Sequence, residues 1–177
     1  MVVMRAVYDH VLSESVGIGQ AEADVAMVAD TGVLCIQPGS GDSLQFMKAG
    51  VMELPDVIAV TKADMGPPAQ RAKADVEGAL SLVAREAGGW VAPVVLVSST
   101  TGEGLDTLAE AIAAHRAHLA EGRRVARRAA QQRHWVEEAL RTRFGHQGLA
   151  AVAARIDGAR PFASEHVLTQ DLAARLG

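Results

Sequence analysis

Thr61-Lys62-Ala63-Asp64 closes a continuous apolar run, Asp56-Val57-Ile58-Ala59-Val60, and no other four residues of the 177-residue chain carry as much chemistry. A short β-branched run stopped by polar residues reads as a buried parallel strand, and ligands on open α/β sheets gather at the carboxyl ends of such strands. An [Asn/Thr]-Lys-x-Asp sequence at that position can make a guanine-selective pocket. The Asp64 carboxylate can accept two hydrogen bonds, from the ring N1–H and the exocyclic amino group, and adenine offers neither donor in that arrangement. The Lys62 stem can lie along base and sugar with its charged head in water. A buried carboxylate left unpaired by the wrong base is a strong form of discrimination.

Two further strand ends would stand beside it. His10-Val11-Leu12-Ser13-Glu14-Ser15-Val16-Gly17-Ile18-Gly19-Gln20 reads as a strand running into a glycine-punctuated loop that begins with an acid. That layout suits Glu14 as a carboxylate near a bound Mg²⁺, directly or through water. It also suits Gly17, whose backbone N–H can approach a terminal phosphate with no Cβ in the way. Gln20 can either orient an attacking water or stand at the start of the next helix, so Glu14 and Gln20 are the catalytic candidates. Val94-Val95-Leu96-Val97-Ser98-Ser99-Thr100-Thr101-Gly102-Glu103-Gly104 reads as another buried strand ending in a polar loop. Backbone N–H groups around Ser98, Ser99 and Thr100 could meet the base carbonyl oxygen there. This order of loops, each after a strand, is the one used by GTPases of the P-loop class.

The chain resembles the methylmalonyl-CoA mutase-associated GTPases of the MeaB/ArgK type. The resemblance is carried by Glu14-Ser15-Val16-Gly17-Ile18-Gly19-Gln20-Ala21-Glu22, by Gln37-Pro38-Gly39-Ser40-Gly41-Asp42-Ser43-Leu44-Gln45-Phe46-Met47-Lys48-Ala49-Gly50, and by Val60-Thr61-Lys62-Ala63-Asp64. It continues through Val97-Ser98-Ser99-Thr100-Thr101-Gly102-Glu103-Gly104 and His115-Arg116-Ala117-His118-Leu119, covering at least residues 8 to about 140. The stretch from Pro38 to Gln45 is the specific part, because generic GTPases do not share it.

The resemblance implies a partial P-loop NTPase-like α/β fold, a mostly parallel sheet flanked by helices, with a carboxyl-terminal helical arm. It implies nucleotide contacts from Gly17, Thr61, Lys62, Asp64, Ser98, Ser99 and Thr100, with GTP or GDP and Mg²⁺ as ligands of the full-length protein. The implied partner is an adenosylcobalamin-dependent methylmalonyl-CoA mutase or a related acyl-CoA mutase, which the GTPase chaperones by gating cofactor loading. A homodimer formed through the arm is implied as well. Residues 37–50 look like an additional switch facing the mutase, in which Lys48 could pair with an acid on the partner or with the nucleotide-side loop.

The departures bear on activity. The loop G-x-x-x-x-G-K-[ST], whose backbone cradles the phosphates and whose Lys reaches the terminal ones, occurs nowhere in this sequence. The expectation is that it lies upstream of Met1, so that 1–120 is a truncated GTPase domain and 121–177 a helical dimerisation or partner arm. GTP hydrolysis by this chain alone is then not expected. The alternative is a non-catalytic dimerisation or mutase-docking module that binds no nucleotide. Thr61 stands where the family usually has Asn, Ser99 replaces a usual Ala, and Ser13 puts a hydroxyl where the family keeps a strand apolar.

Composition fits an intracellular, cytoplasmic globular protein. Hydrophobic residues make up 49% and aromatics only 3%, so Val, Leu, Ile and Ala must fill the core. The single Cys35 excludes an internal disulfide and suits a reducing compartment; within Thr31-Gly32-Val33-Leu34-Cys35-Ile36-Gln37 it reads as a buried small hydrophobe. No apolar run approaches the roughly 20 residues of a membrane helix, and a net charge of −4 argues against general affinity for nucleic acid. Strands are expected at 10–13, 31–37, 57–61 and 94–98, and helices at 20–29, 42–52, 68–87 and 105–119. Ala69, Ala72, Val76, Leu80 and Val83 recur at helical spacing, as do Leu105, Leu108, Ile112 and Leu119. His115 falls on that second stripe and reads as a hydrogen-bonded core histidine. Beyond 122 a long helix is expected at 125–144, then helical segments near 148–156 and 164–176. Arg123, Arg124, Arg127, Arg128 and Arg133 read as a solvated helix face.

Overall fold

The computed structural model describes residues 2–14, 29–39, 55–81 and 89–176. The chain divides into two compact units, Met1–Ala120 and Glu121–Gly177.

Among the described residues, the first unit opens with a short helix, α1 (Val2–Val7), and has three parallel strands, β1 (Val33–Ile36), β2 (Val57–Val60) and β3 (Val94–Leu96). Their order is β1-β2-β3, with Val33 opposite Val57, Ile36 opposite Val60 and Ile58 opposite Val94. Parallel neighbours need a crossover, and α2 (Pro67–Ser81) supplies it between β2 and β3. Pro67 and Pro68 suit a first helical turn, where a missing N–H costs no bond. α3 (Leu105–His118) follows β3.

Alternation along the strands sends side chains to two faces. Ile36, Ile58, Val60 and Val94 pack with Ala72 and Val76 of α2, while Ala59, Val95 and Val97 pack with Leu108 and Ala111 of α3. Helices on both faces explain why β2 is apolar at every position rather than at every second one. The expected α/β class, a mostly parallel sheet flanked by helices, is therefore present.

Two expectations fail. Residues 10–13 are not a strand, and Leu12 is 98% exposed. A strand needs a neighbour to take its N–H and C=O groups, and the apolar pair Val11-Leu12 does not provide one. Cys35 is exposed rather than buried, because it lies on the β1 face away from α2, while α3 packs over β2 and β3. Enough of the chain still crowds its sulfur that desolvation, followed by the Glu14 carboxylate, pushes the thiol pKa up. The helix expected at 42–52 lies outside the described residues, as does that at 20–29 except for Ala29.

The second unit is helical. α4 (Ala120–Val152) is interrupted at Gly145, whose φ of 68° no helix admits and a Cβ would resist. A 3₁₀ turn at Ala153–Arg155 and α5 (Pro161–Leu176) follow. Val136 and Leu140 of α4 pack with Val152, Ile156, Leu168 and Leu172 to form this unit's core. Arg133 is not the solvated residue its neighbours suggested. Its guanidinium donates to the carbonyls of Ala153 and Ile156 at 2.8 and 3.1 Å, and to Glu137 at 2.9 Å, tying α4 to the 3₁₀ turn that follows it. No helix among the described residues is long and apolar enough to cross a membrane.

Two aspartates of this unit give it an acid sensitivity. Hydrogen bonding from Arg155, with Arg175 also paired, holds Asp171 below the ordinary aspartate range, and Arg160 does the same to Asp157. A carboxyl whose folded pKa is depressed adds stability that is present above its unfolded pKa and lost as pH falls through the folded one. The melting temperature of the helical unit should therefore decline below about pH 4. Asp171→Asn should flatten that decline; a melt series from pH 7 to pH 3 with unchanged slope would remove the ion pairs as its cause.

Candidate nucleotide-binding site

The site is built where β2 and β3 end. Thr61 is the last residue tied to the sheet: its N–H and its hydroxyl both donate to the Ile36 carbonyl, at 2.8 and 3.2 Å. Lys62 then takes a left-handed conformation, φ 55° and ψ 45°, which a residue with a Cβ adopts at a cost and only where its surroundings hold it. The Ala63 N–H supplies that hold by donating to the Val97 carbonyl at 3.0 Å. The turn starts a 3₁₀ segment, Ala63–Met65, and places Asp64 beside the end of β3.

Ser98 meets it there. It is fully buried, and its hydroxyl donates to Asp64 Oδ1 at 2.5 Å. The same oxygen accepts the N–H groups of Thr100 and Thr101, each at 3.2 Å. One hydroxyl has one proton and two lone pairs, so these three bonds use its full capacity. A carboxylate has about four acceptor positions, so the Ser98 bond leaves exposed Asp64 room for two more donors. Lys62 is exposed beside it.

The loop is folded onto itself as well. Ser98 N–H donates to the Glu103 carbonyl and Gly102 N–H to the Ser98 carbonyl, both at 2.9 Å. Gly104 closes it at φ 73°, where an added Cβ would stand 1.9 Å from the Leu96 carbonyl oxygen. The loop returns to α3 through a space that holds backbone and nothing more.

Thr61, Lys62, Asp64, Ser98, Ser99 and Thr100 are thus gathered at one end of the sheet. Ser98 is a positioning residue: its hydroxyl is spent on Asp64 and on its own loop. The Thr100 N–H, which the sequence offered to a base carbonyl, is likewise turned inward to Ser98. Ser99 and the Thr100 side chain are exposed. Glu14 is exposed too, and its charge is felt at Cys35 on β1. Gly17, Gln20 and Lys48 lie outside the described residues. Sequence reading missed the Ser98–Asp64 bond; its signal is a serine directly after a buried apolar run, the place from which a hydroxyl can reach the neighbouring strand's loop.

A parallel sheet between helices, with a carboxylate turn after the central strand steadied from the next, defines an α/β domain of the P-loop type. The chain belongs to the methylmalonyl Co-A mutase-associated GTPase MeaB family, whose model matches residues 1–152. It is 40% identical over 139 residues to a protein of Caulobacter vibrioides whose name is that of a GTPase, an alignment covering 77% of this chain and 43% of that protein. It is 37% identical over 135 residues to the mouse methylmalonic aciduria type A homolog, mitochondrial, covering 73% of this chain and 32% of that one. A GTPase-named protein of Pyrococcus horikoshii is 38% identical over 141 residues, covering 76% and 42% respectively. The chain thus spans less than half the length of these relatives.

Replacing Ser98 by Ala should release Asp64 and remove the acceptor of two loop N–H groups, those of Thr100 and Thr101, at once. Loss of a hydrogen bond to a charged group costs about 1.5–3 kcal/mol. Urea denaturation of Ser98→Ala should show a loss of that size; a variant as stable as the parent would mean that the hydroxyl does not organise the loop.

Proposed function

We propose that this chain is the base-recognition and switch portion of a guanine-nucleotide-binding protein that assists an adenosylcobalamin-dependent acyl-CoA mutase. The observation that carries the reading is the Asp64 carboxylate, exposed at the end of β2 and held on one oxygen by buried Ser98. A fixed acceptor meets a guanine edge without first losing side-chain entropy, which is the gain from preorganisation. Its remaining lone pairs suit the guanine N1–H and amino group, and in this reading the Lys62 stem covers the base.

In this reading Gly17 approaches the terminal phosphate, Glu14 stands on the Mg²⁺ side and Gln20 orients water. Residues 37–50, with Lys48, report nucleotide state to the mutase. The described start of that segment supports a firm root for it: Ile36 O holds Thr61 by two bonds, Pro38 is buried, and Gly39 turns at φ 74°. GTP or GDP with Mg²⁺ are the ligands of the full-length protein, and the arm from 121 onward is the dimerisation or partner element. Family membership and the relatives' names support this assignment.

The base site is tested in a protein that also carries a phosphate loop. Asp64→Asn should lower GDP affinity about ten- to hundredfold, the worth of a charge-assisted bond. Xanthosine diphosphate, which presents an acceptor where guanine has its amino group, should restore binding. Calorimetric titration showing GDP affinity intact and xanthosine diphosphate ignored would remove 61–64 as the base pocket.

A second reading, a docking module without nucleotide, is favoured by one observation: the sequence holds no G-x-x-x-x-G-K-[ST]. Phosphate cradling supplies most of the charge neutralisation in such sites, so the 177-residue chain should show no GTP turnover above background. Mg²⁺-dependent hydrolysis that follows this chain through purification would contradict that expectation.

A further inference from the structure

The sheet's other end, where β1 and β2 begin, holds a half-buried polar cluster around one buried histidine, which nucleotide recognition does not use. His115, in the last turn of α3, is 1% exposed. Its Nδ1 lies 2.9 Å from Thr31 Oγ1 and its Nε2 lies 3.2 Å from Asp56 Oδ1. The second Asp56 oxygen accepts the Gly32 N–H at 2.8 Å, while the Gly32 carbonyl accepts the N–H groups of Asp56 and Val57 at 2.9 and 3.1 Å. Trp90 closes the cluster: its indole N–H donates to the Asp56 carbonyl at 2.6 Å, and its ring lies 4.9 Å from the imidazole.

Threonine, histidine and aspartate are the residue types of a nucleophilic triad, but this set is wired for holding. The ring is sealed from solvent, and the carboxylate's other oxygen is bound to backbone. A substrate that cannot reach the ring cannot exchange a proton with it.

We propose that Thr31, His115 and Asp56 form a neutral histidine latch, which locks the end of α3 onto the entry ends of β1 and β2. In a neutral ring one nitrogen carries the proton and the other accepts. A carboxylate oxygen accepts and does not donate, so Nε2 carries the hydrogen; a hydroxyl can do either, so Thr31 donates and Nδ1 accepts. One imidazole then bridges two strands whose residues lie 84 and 59 positions away from it in the chain, by the numbering of Thr31, Asp56 and His115. The latch is conformational in its consequence. α3 hands the chain to the helical unit within two residues of His118, so opening the latch frees that last turn and leaves the carboxyl ends of β2 and β3 intact. This inference stands apart from the nucleotide reading and uses none of its residues.

The test uses the 177-residue chain and two measurements. Nitrogen-15 NMR of the imidazole should show a protonated Nε2 and an unprotonated Nδ1; an Nδ1–H ring or a doubly protonated ring at pH 7 would overturn the proposal. Hydrogen exchange on His115→Phe, which keeps a ring and removes both bonds, should speed Gly32 and Leu119 N–H exchange by about tenfold or more. Ser98 and Gly102 N–H exchange, at the opposite end, should be unchanged. A folded His115→Phe with parental exchange at Gly32 would overturn the latch. Should that variant fail to fold, Thr31→Val decides the case. Removing only the hydroxyl donor should shift the Nδ1 resonance and raise Leu119 exchange, and no change in either would refute the bridge.

Discussion

The burial of β2 on both faces is the constraint from which the rest of the first unit follows. Val57, Ile58, Ala59 and Val60 are each no more than 1% exposed. A strand so enclosed can satisfy its backbone only through the ladders to β1 and β3, which fixes the order of the sheet. It also fixes where polar chemistry can begin. The first residue able to carry a charged side chain to water is the one after the strand, and the chain must turn sharply to stay on the sheet's rim. The left-handed Lys62 makes that turn, and Asp64 arrives within reach of Ser98. The carboxylate's position is thus an outcome of the hydrophobic enclosure that ends at Val60.

The two ends of the sheet solve the same polar problem in opposite ways. At the entry end, Asp56 is paired inside the protein with His115 and the Gly32 amide, and little surface remains for a visitor. At the exit end, Asp64 is held on one side and open on the other. A carboxylate with internal partners on each oxygen is structural; one with acceptor positions left over is equipped to meet a ligand. Both are aspartates flanking the same four-residue strand, and only their neighbours separate their roles.

What could be read from residues alone divides along a physical line. β2 and β3 were legible because enclosure writes itself as an unbroken apolar run, and α2 because Ala69, Ala72 and Val76 return on one helical face. The place of Lys62 and Asp64 at a strand end was legible because their spacing from the apolar run is local. Ser98's service to Asp64 was not, since a pairing across 34 residues leaves no pattern in either segment. Residues 10–13 misled because the apolar pair Val11-Leu12 records only a local preference, whereas a strand also needs a neighbour. Cys35 misled because an apolar run does not say which of its faces will be covered. Arg133 was hidden among other arginines, its carbonyl partners lying 20 and 23 residues further on.

The placement of the tryptophans has a consequence of its own. The chain has two: Trp90 in the first unit and Trp135 in the second. Trp90 has its indole N–H bound to a carbonyl and its ring against two histidines, whereas Trp135 is 43% exposed and meets Phe162 edge-on at 5.3 Å. Each compact unit thus carries one indole fluorophore, which excitation at the red edge selects over Tyr8. Replacing either indole by phenylalanine isolates the emission of the other unit, so the cooperativity between the two can be followed optically without attaching a dye.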